Sequence, residues 1–282
     1  MIDLGNLYSK GSGRAALTAL RLDLMKIGRL LSGGIALFIF VGLWEVLPRM
    51  GLINPAFLPP FSVVITTLVG MTLSGEIFTH LFISLQRSVL GFGLAVLIAI
   101  PLGLALGWYP GFSRLMDPLI ETLRNIPTLA MYPVMIIFLG IGEESKVAII
   151  FFAALWKVLI NTISGVDSVD PLLIKAARSV GITSDAEIFK KVIFPTAVPQ
   201  IVSGMRLGAT SAILVLVAAE MMGAKSGLGF LVTNSQYNFV YEKMYAAIIC
   251  LVILGVVSNY LLVWFEKRAT CWKEEVNFNK EN

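Results

Sequence analysis

The chain has 282 residues, of which 57% are hydrophobic and 14% are charged. A soluble globular domain carries roughly 25% charged residues, so this composition argues against a soluble enzyme, a disordered chain and a nucleic-acid-binding domain. The formal net charge is +4, and the question becomes on which side of a bilayer the charges lie. The two cysteines, Cys250 and Cys271, form no pattern that indicates a disulfide framework or a metal site.

Apolar runs of about 20 residues, the length that a helix needs to cross a membrane, recur six times along the chain. We therefore predict an all-α, polytopic membrane protein with six transmembrane helices. The predicted spans are residues 30–47, 89–108, 120–139, 147–163, 201–222 and 245–265. Prolines inside the second and third spans are compatible with this prediction, because transmembrane helices tolerate proline.

Most of the 22 Lys and Arg residues fall in segments on the N-terminal side of the bilayer when these six spans are threaded through it. The positive-inside rule then places both termini in the cytoplasm. Residues 1–29 form a cytoplasmic segment whose apolar residues, three or four apart, predict an amphipathic helix on the membrane surface. The alternative is a helix packed on the protein itself. Residues 30–268 form the membrane domain, and residues 269–282 form a cytoplasmic tail.

The cytoplasmic segment 165–200 between the fourth and fifth spans carries helix start and stop signals. Asp170 is a good N-cap before Pro171, and Gly181 stands where a helix ends with a positive φ. Ser184 and Glu187 predict a capping box that opens a second short helix, which Pro195 and Pro199 end. The sequence thus predicts a helix, a glycine turn and a second helix.

The first of these two helices has an apolar stripe, formed by Leu172, Leu173, Ala176, Ala177 and Val180. Two adjacent alanines let another backbone approach closely, so one interpretation is a docking site for a cytoplasmic partner. The alternative is a capped connector that packs only on its own membrane domain.

The same segment resembles the cytoplasmic signature of the permeases of binding-protein-dependent ABC importers. That signature has Glu-Ala-Ala, three residues, Gly, nine residues and Ile-x-Leu-Pro. This chain has Lys175-Ala176-Ala177-Arg178-Ser179-Val180-Gly181 and then Val192-Ile193-Phe194-Pro195. Lys175 replaces the glutamate, Phe194 replaces the leucine, and ten residues separate Gly181 from Val192.

Further short segments, in order along the chain, are similar to the branch that imports nitrate, sulfonates, taurine and bicarbonate. They are Ser84-Leu85-x-Arg87, Gly91-Phe92, Pro101-Leu102-Gly103, Asp117-Pro118, Pro127-x-Leu129-Ala130, Pro133, Gly140-Ile141-Gly142-Glu143 with Ser145-Lys146, Gly204-x-Arg206-Leu207, Glu220-Met221, Gly227-Leu228-Gly229 and Trp272.

The resemblance implies a type I importer fold in the plasma membrane of a prokaryote. It implies that this chain is one half of the pore, most simply in a homodimer, with two cytoplasmic ATPase subunits and an extracytoplasmic binding protein as partners. The residues implied to contact the ATPase are Lys175, Ala176, Ala177, Arg178, Gly181, Phe189 and Pro195. No phosphate-binding Gly-x-x-x-x-Gly-Lys-Ser/Thr loop occurs in the chain. We therefore expect a non-catalytic subunit that binds no cofactor, with ATP and Mg²⁺ on the partner ATPase.

Ionisable residues inside spans are costly and are candidates for function. Guanidinium and amide donors suit an oxyanion, so the candidate translocation path consists of Arg87, Arg124, Asn125, Pro127, Pro133 and Glu220. Pro127 and Pro133 predict a bend in the third span. The bend either forms a gate or belongs to the ordinary packing of a kinked helix. Glu220 is alternatively half of a structural ion pair with Arg87 or Arg206. Lys157 is also an ionisable candidate inside a span, and the alternative is that it lies near the end of its span and extends to the membrane surface.

Other interpretations remain open from the sequence alone. The solute is alternatively a small heterocyclic metabolite or a vitamin precursor. A self-contained, ion-coupled secondary transporter is a different class, although it needs coupling-ion residues and often an inverted repeat. An integral-membrane enzyme is a third class, but the only histidine, His80, has no nucleophile or second ligand near it in the sequence.

Overall fold

The computed structural model describes residues 35–270, which form helices and contain no strand. The predicted amphipathic helix, the first residues of the first predicted span and Trp272 lie outside the described residues. Contacts divide the chain into a smaller unit that ends at Thr66 and a larger unit that begins at Thr67.

The smaller unit contains helix α1, residues 35–49, and the start of α2, Phe61–Leu73. The carboxylate of Glu45 accepts hydrogen bonds of 2.9 Å from both the backbone N–H and the hydroxyl of Ser62. It also lies 2.5 Å from the guanidinium of Arg49. A carboxylate at a helix N-terminus satisfies backbone donors that have no partner inside the helix, so Glu45 holds the first turn of α2.

The larger unit consists of helices joined by short connections. They are α3 Glu76–Trp108, α4 Pro110–Arg124, a 3₁₀ turn Thr128–Met131, α5 Tyr132–Leu139, α6 Glu143–Asp167, α7 Pro171–Ser179, α8 Asp185–Ile188, a π turn Phe189–Ile193, α9 Phe194–Met221, α10 Leu228–Tyr237 and α11 Tyr241–Ala269.

Within residues 35–270, four helices are long and apolar enough to cross a membrane: α3, α6, the continuous helix Asp185–Met221, and α11. A fifth span exists if α4 and the pair of short helices after it, bent by 90°, count as one. The predicted number of six is therefore not confirmed. Helix α3 begins well before the predicted start at residue 89, and its 33 residues extend about 50 Å.

The core of the larger unit is the packing of α3, α6 and α9. Ala95, Ala99, Ile150, Ala154 and Leu216 on these helices are fully buried. Glycines bring the backbones close together: a Cβ atom built on Gly103 of α3 lies 2.7 Å from the Cβ of Thr162 on α6. Small residues at contact positions are typical of helix packing in membranes, where backbones approach closely.

Helix α11 is attached to this core and is mostly exposed along its length. Arg206 of α9 donates a 2.8 Å hydrogen bond to Glu266 near the end of α11. Apolar side chains such as Val252, Tyr260 and Trp264 are more than half exposed. A helix with an apolar exposed face suits contact with lipid or with another membrane-embedded surface.

We predict that Gly103→Ala destabilises the protein by about 1–3 kcal/mol, because the added methyl group overpacks the contact with Thr162. Gly93→Ala in the same helix is the matched control, since a Cβ there meets no atom within 4 Å. The control should be neutral or slightly stabilising, since alanine favours helix over glycine. Thermal unfolding of the detergent-solubilised protein measures both, and equal unfolding temperatures contradict the close approach of α3 and α6.

Candidate functional site

The segment from Asp170 to Ile193, which we call the α7–α8 segment, folds as the local signals predict at its first helix. The carboxylate of Asp170 accepts a 2.8 Å hydrogen bond from the backbone N–H of Leu172. Gly181 has φ +92°, and its N–H donates to the carbonyl of Arg178 at 3.1 Å. The N–H of Ile182 donates to the carbonyl of Ala177, also at 3.1 Å. This pair of bonds is a Schellman motif, which stops a helix firmly.

The second helix differs from the prediction. It begins after Ser184, but the Ser184 side chain makes no capping hydrogen bond, so the predicted capping box is wrong. Glu187 instead accepts a 3.2 Å hydrogen bond from Lys191. Pro195 and Pro199 do not end the helix either: Pro195 follows directly after the π turn, and Pro199 lies inside α9. The π turn before it keeps the chain helical from Asp185 to Met221.

A small hydrophobic core anchors the α7–α8 segment to α6 and α9. Its buried members are Val166, Val169, Ile188, Ile193, Ala197 and Ile201, and Ile174 and Ile182 pack against it. The ring of Phe189 lies edge-on to Trp108 of α3, with 5.7 Å between centroids. The inward residue of α7 is therefore Ile174, which the sequence did not single out.

The apolar stripe of α7 points away from this core. Leu172 is 67% exposed and Val180 is 83% exposed. Lys175, Ala176 and Arg178 are also exposed, while Ala177 is half-buried. The structure thus gathers most of the predicted contact residues on one outward surface. Phe189 and Pro195 are half-buried at its base and support this surface.

A second polar site, the Arg87 cluster, consists of Ser84 and Arg87 on α3, Glu143 on α6, and Glu220 on α9. Arg87 and Glu220 are buried, and their side chains form a 2.7 Å ion pair. The Arg87 guanidinium also donates to Glu143 at 2.5 and 2.7 Å. It donates to the carbonyl of Ser226 at 2.7 Å and to the Ser226 hydroxyl at 3.4 Å. These five hydrogen bonds equal the number of N–H donors on a guanidinium.

The Glu220 carboxylate lies at the N-terminus of α10. It accepts a 2.9 Å hydrogen bond from the N–H of Gly229, and its two oxygens share the single O–H of Ser84, whose oxygen lies 2.8 and 2.9 Å away. A helix N-terminus favours a negative charge. Gly227, with φ +115°, leaves no space for a side chain because Glu220 occupies it. His80 Nδ1 accepts from the N–H of Gly227 at 3.0 Å.

The Arg87 cluster brings together two of the predicted path residues, Arg87 and Glu220, in the ion pair that the sequence offered as the alternative. Their use as substrate contacts stays a prediction, but the pairing leaves Arg87 no free donor. Sequence reasoning missed Glu143 and the supporting roles of Ser84 and His80. Each lies in a recognisable segment, but its partner is distant in the chain, and no local spacing indicates such pairings.

The other predicted path residues lie at the bend between α4 and α5. Arg124 forms an ion pair of 2.6 Å with Glu121 on the exposed side of α4. The side-chain amide of Asn125 donates a 2.7 Å hydrogen bond to the backbone carbonyl of Glu121. The predicted bend is present and lies just before Pro127, while Pro133 occupies the first turn of α5. Within residues 35–270, neither Arg124 nor Asn125 shares a hydrogen bond or an ion pair with the Arg87 cluster. The gate role stays a prediction.

Residues 95–270 match the family described as binding-protein-dependent transport system inner membrane component. A probable ABC transporter permease protein of Brucella abortus is 38% identical, covering 83% of this chain and 92% of the relative. The taurine transport system permease protein TauC of Escherichia coli is 35% identical, covering 85% and 89%. The nitrate import permease protein NrtB of Synechocystis is 31% identical, covering 66% and 68%. A crystal structure of an amino acid ABC transporter superposes with a TM-score of 0.58 at 19% identity, covering 71% of this chain and 97% of that chain.

We predict that Arg87→Met lowers the free energy of unfolding by about 3–5 kcal/mol, because it leaves the Glu220 carboxylate buried without its cation. Lys191→Met removes one partner of an exposed pair with Glu187 and should change stability by less than about 0.5 kcal/mol. Thermal unfolding and membrane yield of the two variants measure this difference. If Arg87→Met is as stable as Lys191→Met, the cluster does not stabilise the fold.

Proposed function

The chain belongs to the family of inner membrane components of binding-protein-dependent transport systems, and on this premise we propose that it lines the path of a small oxyanion, a sulfonate foremost. The chain is the non-catalytic permease subunit of an ABC importer and crosses the membrane several times. It works with an ATPase and a binding protein. Its orientation, its stoichiometry and its solute are the subjects of the proposal.

We place the α7–α8 segment and both termini in the cytoplasm. The surplus of Lys and Arg in the segments on that side supports this orientation, since basic loops stay inside. Within the α7–α8 segment, Lys175, Arg178, Lys190 and Lys191 are all exposed. The cytoplasm is also the compartment that holds ATP, so this orientation brings the segment to the ATPase.

The outward apolar surface of α7 is the observation that carries the coupling role. A connector that packed only on its own membrane domain would bury Leu172 and Val180, whereas both are mostly exposed. Exposed apolar residues on a rigid, capped helix are typical of a protein-binding surface. The Schellman turn and the Asp170 cap fix the shape of this surface before any partner binds.

In the proposed assembly, two copies of this chain form the pore and each α7–α8 segment contacts one ATPase subunit. ATP and Mg²⁺ bind to the ATPase, and an extracytoplasmic binding protein delivers the solute. The contact residues are Lys175, Ala176, Ala177, Arg178 and Gly181 on the surface, with Phe189 and Pro195 beneath it.

A sulfonate is the favoured solute because the relative named for taurine covers 85% of this chain. Nitrate has the support of a more distant relative. Both solutes are small oxyanions, whose oxygens accept hydrogen bonds from guanidinium, ammonium and amide groups. Competition in an uptake assay distinguishes these solutes from bicarbonate and from a heterocyclic metabolite. Uptake with and without ATP distinguishes an ATP-driven from an ion-coupled mechanism.

We predict that Val180→Glu lowers co-purification of the partner ATPase about tenfold, equivalent to about 1.4 kcal/mol of binding, because a charge then enters an apolar contact. Val180 is exposed, so the variant should fold normally. Gln236→Glu on α10, which is also exposed, adds the same charge at a distant helix and should leave co-purification unchanged. Full ATPase recovery with Val180→Glu contradicts the coupling role of α7.

We also predict ATP-dependent uptake of taurine by proteoliposomes that contain the permease, its ATPase and its binding protein. Uptake should stop when ATP is omitted or when the binding protein is absent. Competition with nitrate, bicarbonate, an alkylsulfonate and a neutral heterocycle ranks the solutes. If an ion gradient drives uptake without nucleotide, the ATP-driven mechanism is wrong. If the heterocycle is the preferred solute, the oxyanion assignment is wrong.

A further inference from the structure

Lys157 lies deep inside a membrane-crossing helix. Helix α6 runs from Glu143 to Asp167, so Lys157 is ten residues, or about 15 Å, from the nearer end. Lys157 thus lies closer to the middle of this helix than to either end. Helical side chains also tilt toward the N-terminus of their helix, which directs this four-carbon stem away from the nearer end.

The Lys157 side chain is exposed, whereas the next two residues, Val158 and Leu159, are buried in the core. Its ammonium group makes no ion pair or hydrogen bond among residues 35–270. Lys157 thus faces away from the described residues of its own subunit, and none of these residues neutralises its charge. Such a charge facing hydrocarbon is costly, and intramembrane lysines usually face a water-filled cavity or a partner.

Polar side chains continue the surface around Lys157. Asn161 and Ser164 follow it on the same face of α6, at spacings of four and seven residues. The Asn161 amide donates 2.7 Å to the carbonyl of Lys157 and accepts a 3.4 Å hydrogen bond from Gln200 of α9. Gly204 makes this approach possible, since a Cβ there would lie 2.5 Å from the Cβ of Asn161.

Gln200 also lines a groove of about 580 Å³ beside the α7–α8 segment, and the surface of this groove is mainly apolar. Its other lining residues are Ser168, Leu173, Lys191, Val192, Pro195, Thr196 and Pro199. The amide of Gln200 therefore lies between the polar surface near Lys157 and this groove at the start of α9.

We propose that Lys157, with the amides of Asn161 and Gln200, forms an anion-attracting position at mid-depth in the translocation path. This inference rests on the proposed function and adds a residue to it. A fixed cation in a narrow, low-dielectric passage raises the local concentration of anions. The ammonium and the two amides also provide the hydrogen-bond donors that sulfonate oxygens accept.

The aqueous position of Lys157 is tested first, without any partner protein. In a full chain with Cys250→Ser and Cys271→Ser, Lys157→Cys is treated in membranes with the anionic thiol reagent sulfonatoethyl methanethiosulfonate, applied from both faces. Val257→Cys is the matched control, because it is exposed at mid-length of α11. We expect Lys157→Cys to react at least about tenfold faster, since only this thiol meets water, in which thiols ionise and the charged reagent dissolves. Equal, slow reaction of the two thiols overturns the proposal.

The charge is tested next in the assembled importer, with ethanesulfonate as the solute, because taurine carries an ammonium group besides its sulfonate and has no net charge at neutral pH. Lys157→Cys should lower the rate of ATP-driven uptake about tenfold, within the range that electrostatic attraction supplies. Aminoethyl methanethiosulfonate, which restores a positive charge, should recover uptake, whereas the sulfonatoethyl reagent should not. Lys157→Arg should stay close to the unsubstituted chain. Normal uptake by Lys157→Cys, or no recovery with the cationic reagent, overturns the role of the charge.

The two proposals fail in different ways. If the unsubstituted importer takes up no oxyanion with ATP while Lys157→Cys still reacts rapidly, the proposed function is wrong and the aqueous position of Lys157 stands. If the importer works while Lys157→Cys is unreactive, the proposed function stands and Lys157 is a structural residue at an interface.

Discussion

Lipid provides no water to solvate a buried charge, so each charge inside the membrane needs a partner in the protein or an aqueous path. The Arg87 cluster meets this constraint internally. Arg87 and Glu220 join α3 to α9, and Glu143 adds α6. The same carboxylate of Glu220 holds the first turn of α10. The cluster thus fixes four helices at one end of the larger unit, and the glycine-rich turn before α10 folds around it.

The need for a partner or an aqueous path also applies to three other basic residues in the described helices. Arg206 pairs with Glu266 at 2.8 Å and so attaches α11 to α9. Lys146 is buried and donates 2.8 Å to the carbonyl of Gly142. Lys157 lies deeper in α6 and makes no such contact within residues 35–270. Lys146 and Lys157 on one helix therefore differ: the first is held by the protein, and the second has no partner among the described residues.

Sequence reasoning succeeded where the physical signal is local. Asp170 caps its own helix and Gly181 ends it, because both effects depend on residues within five positions of each other. Sequence reasoning failed at Pro195, where the π turn directly upstream changes the hydrogen-bond pattern and the helix continues past the proline. It also missed Glu143, whose partner Arg87 is 56 residues distant in the chain. Apolar length identified most of the membrane-crossing helices, but helix packing decides where each begins.

The helix is continuous from Asp185 to Met221, so the end of the α7–α8 segment is part of the same helix as α9. Ile174 packs on the core that contains Ile188 and Ile193, so α7 is held to the base of this helix. Two backbone hydrogen bonds, from Gly181 to Arg178 and from Ile182 to Ala177, close the turn between α7 and α8. The packing and the closed turn therefore join α7 to the start of α9. Gln200 lies less than two turns after that start, and Glu220 lies near the far end of the same helix. The polar surface near Lys157 and the Arg87 cluster thus both include a residue of the helix that α7 contacts.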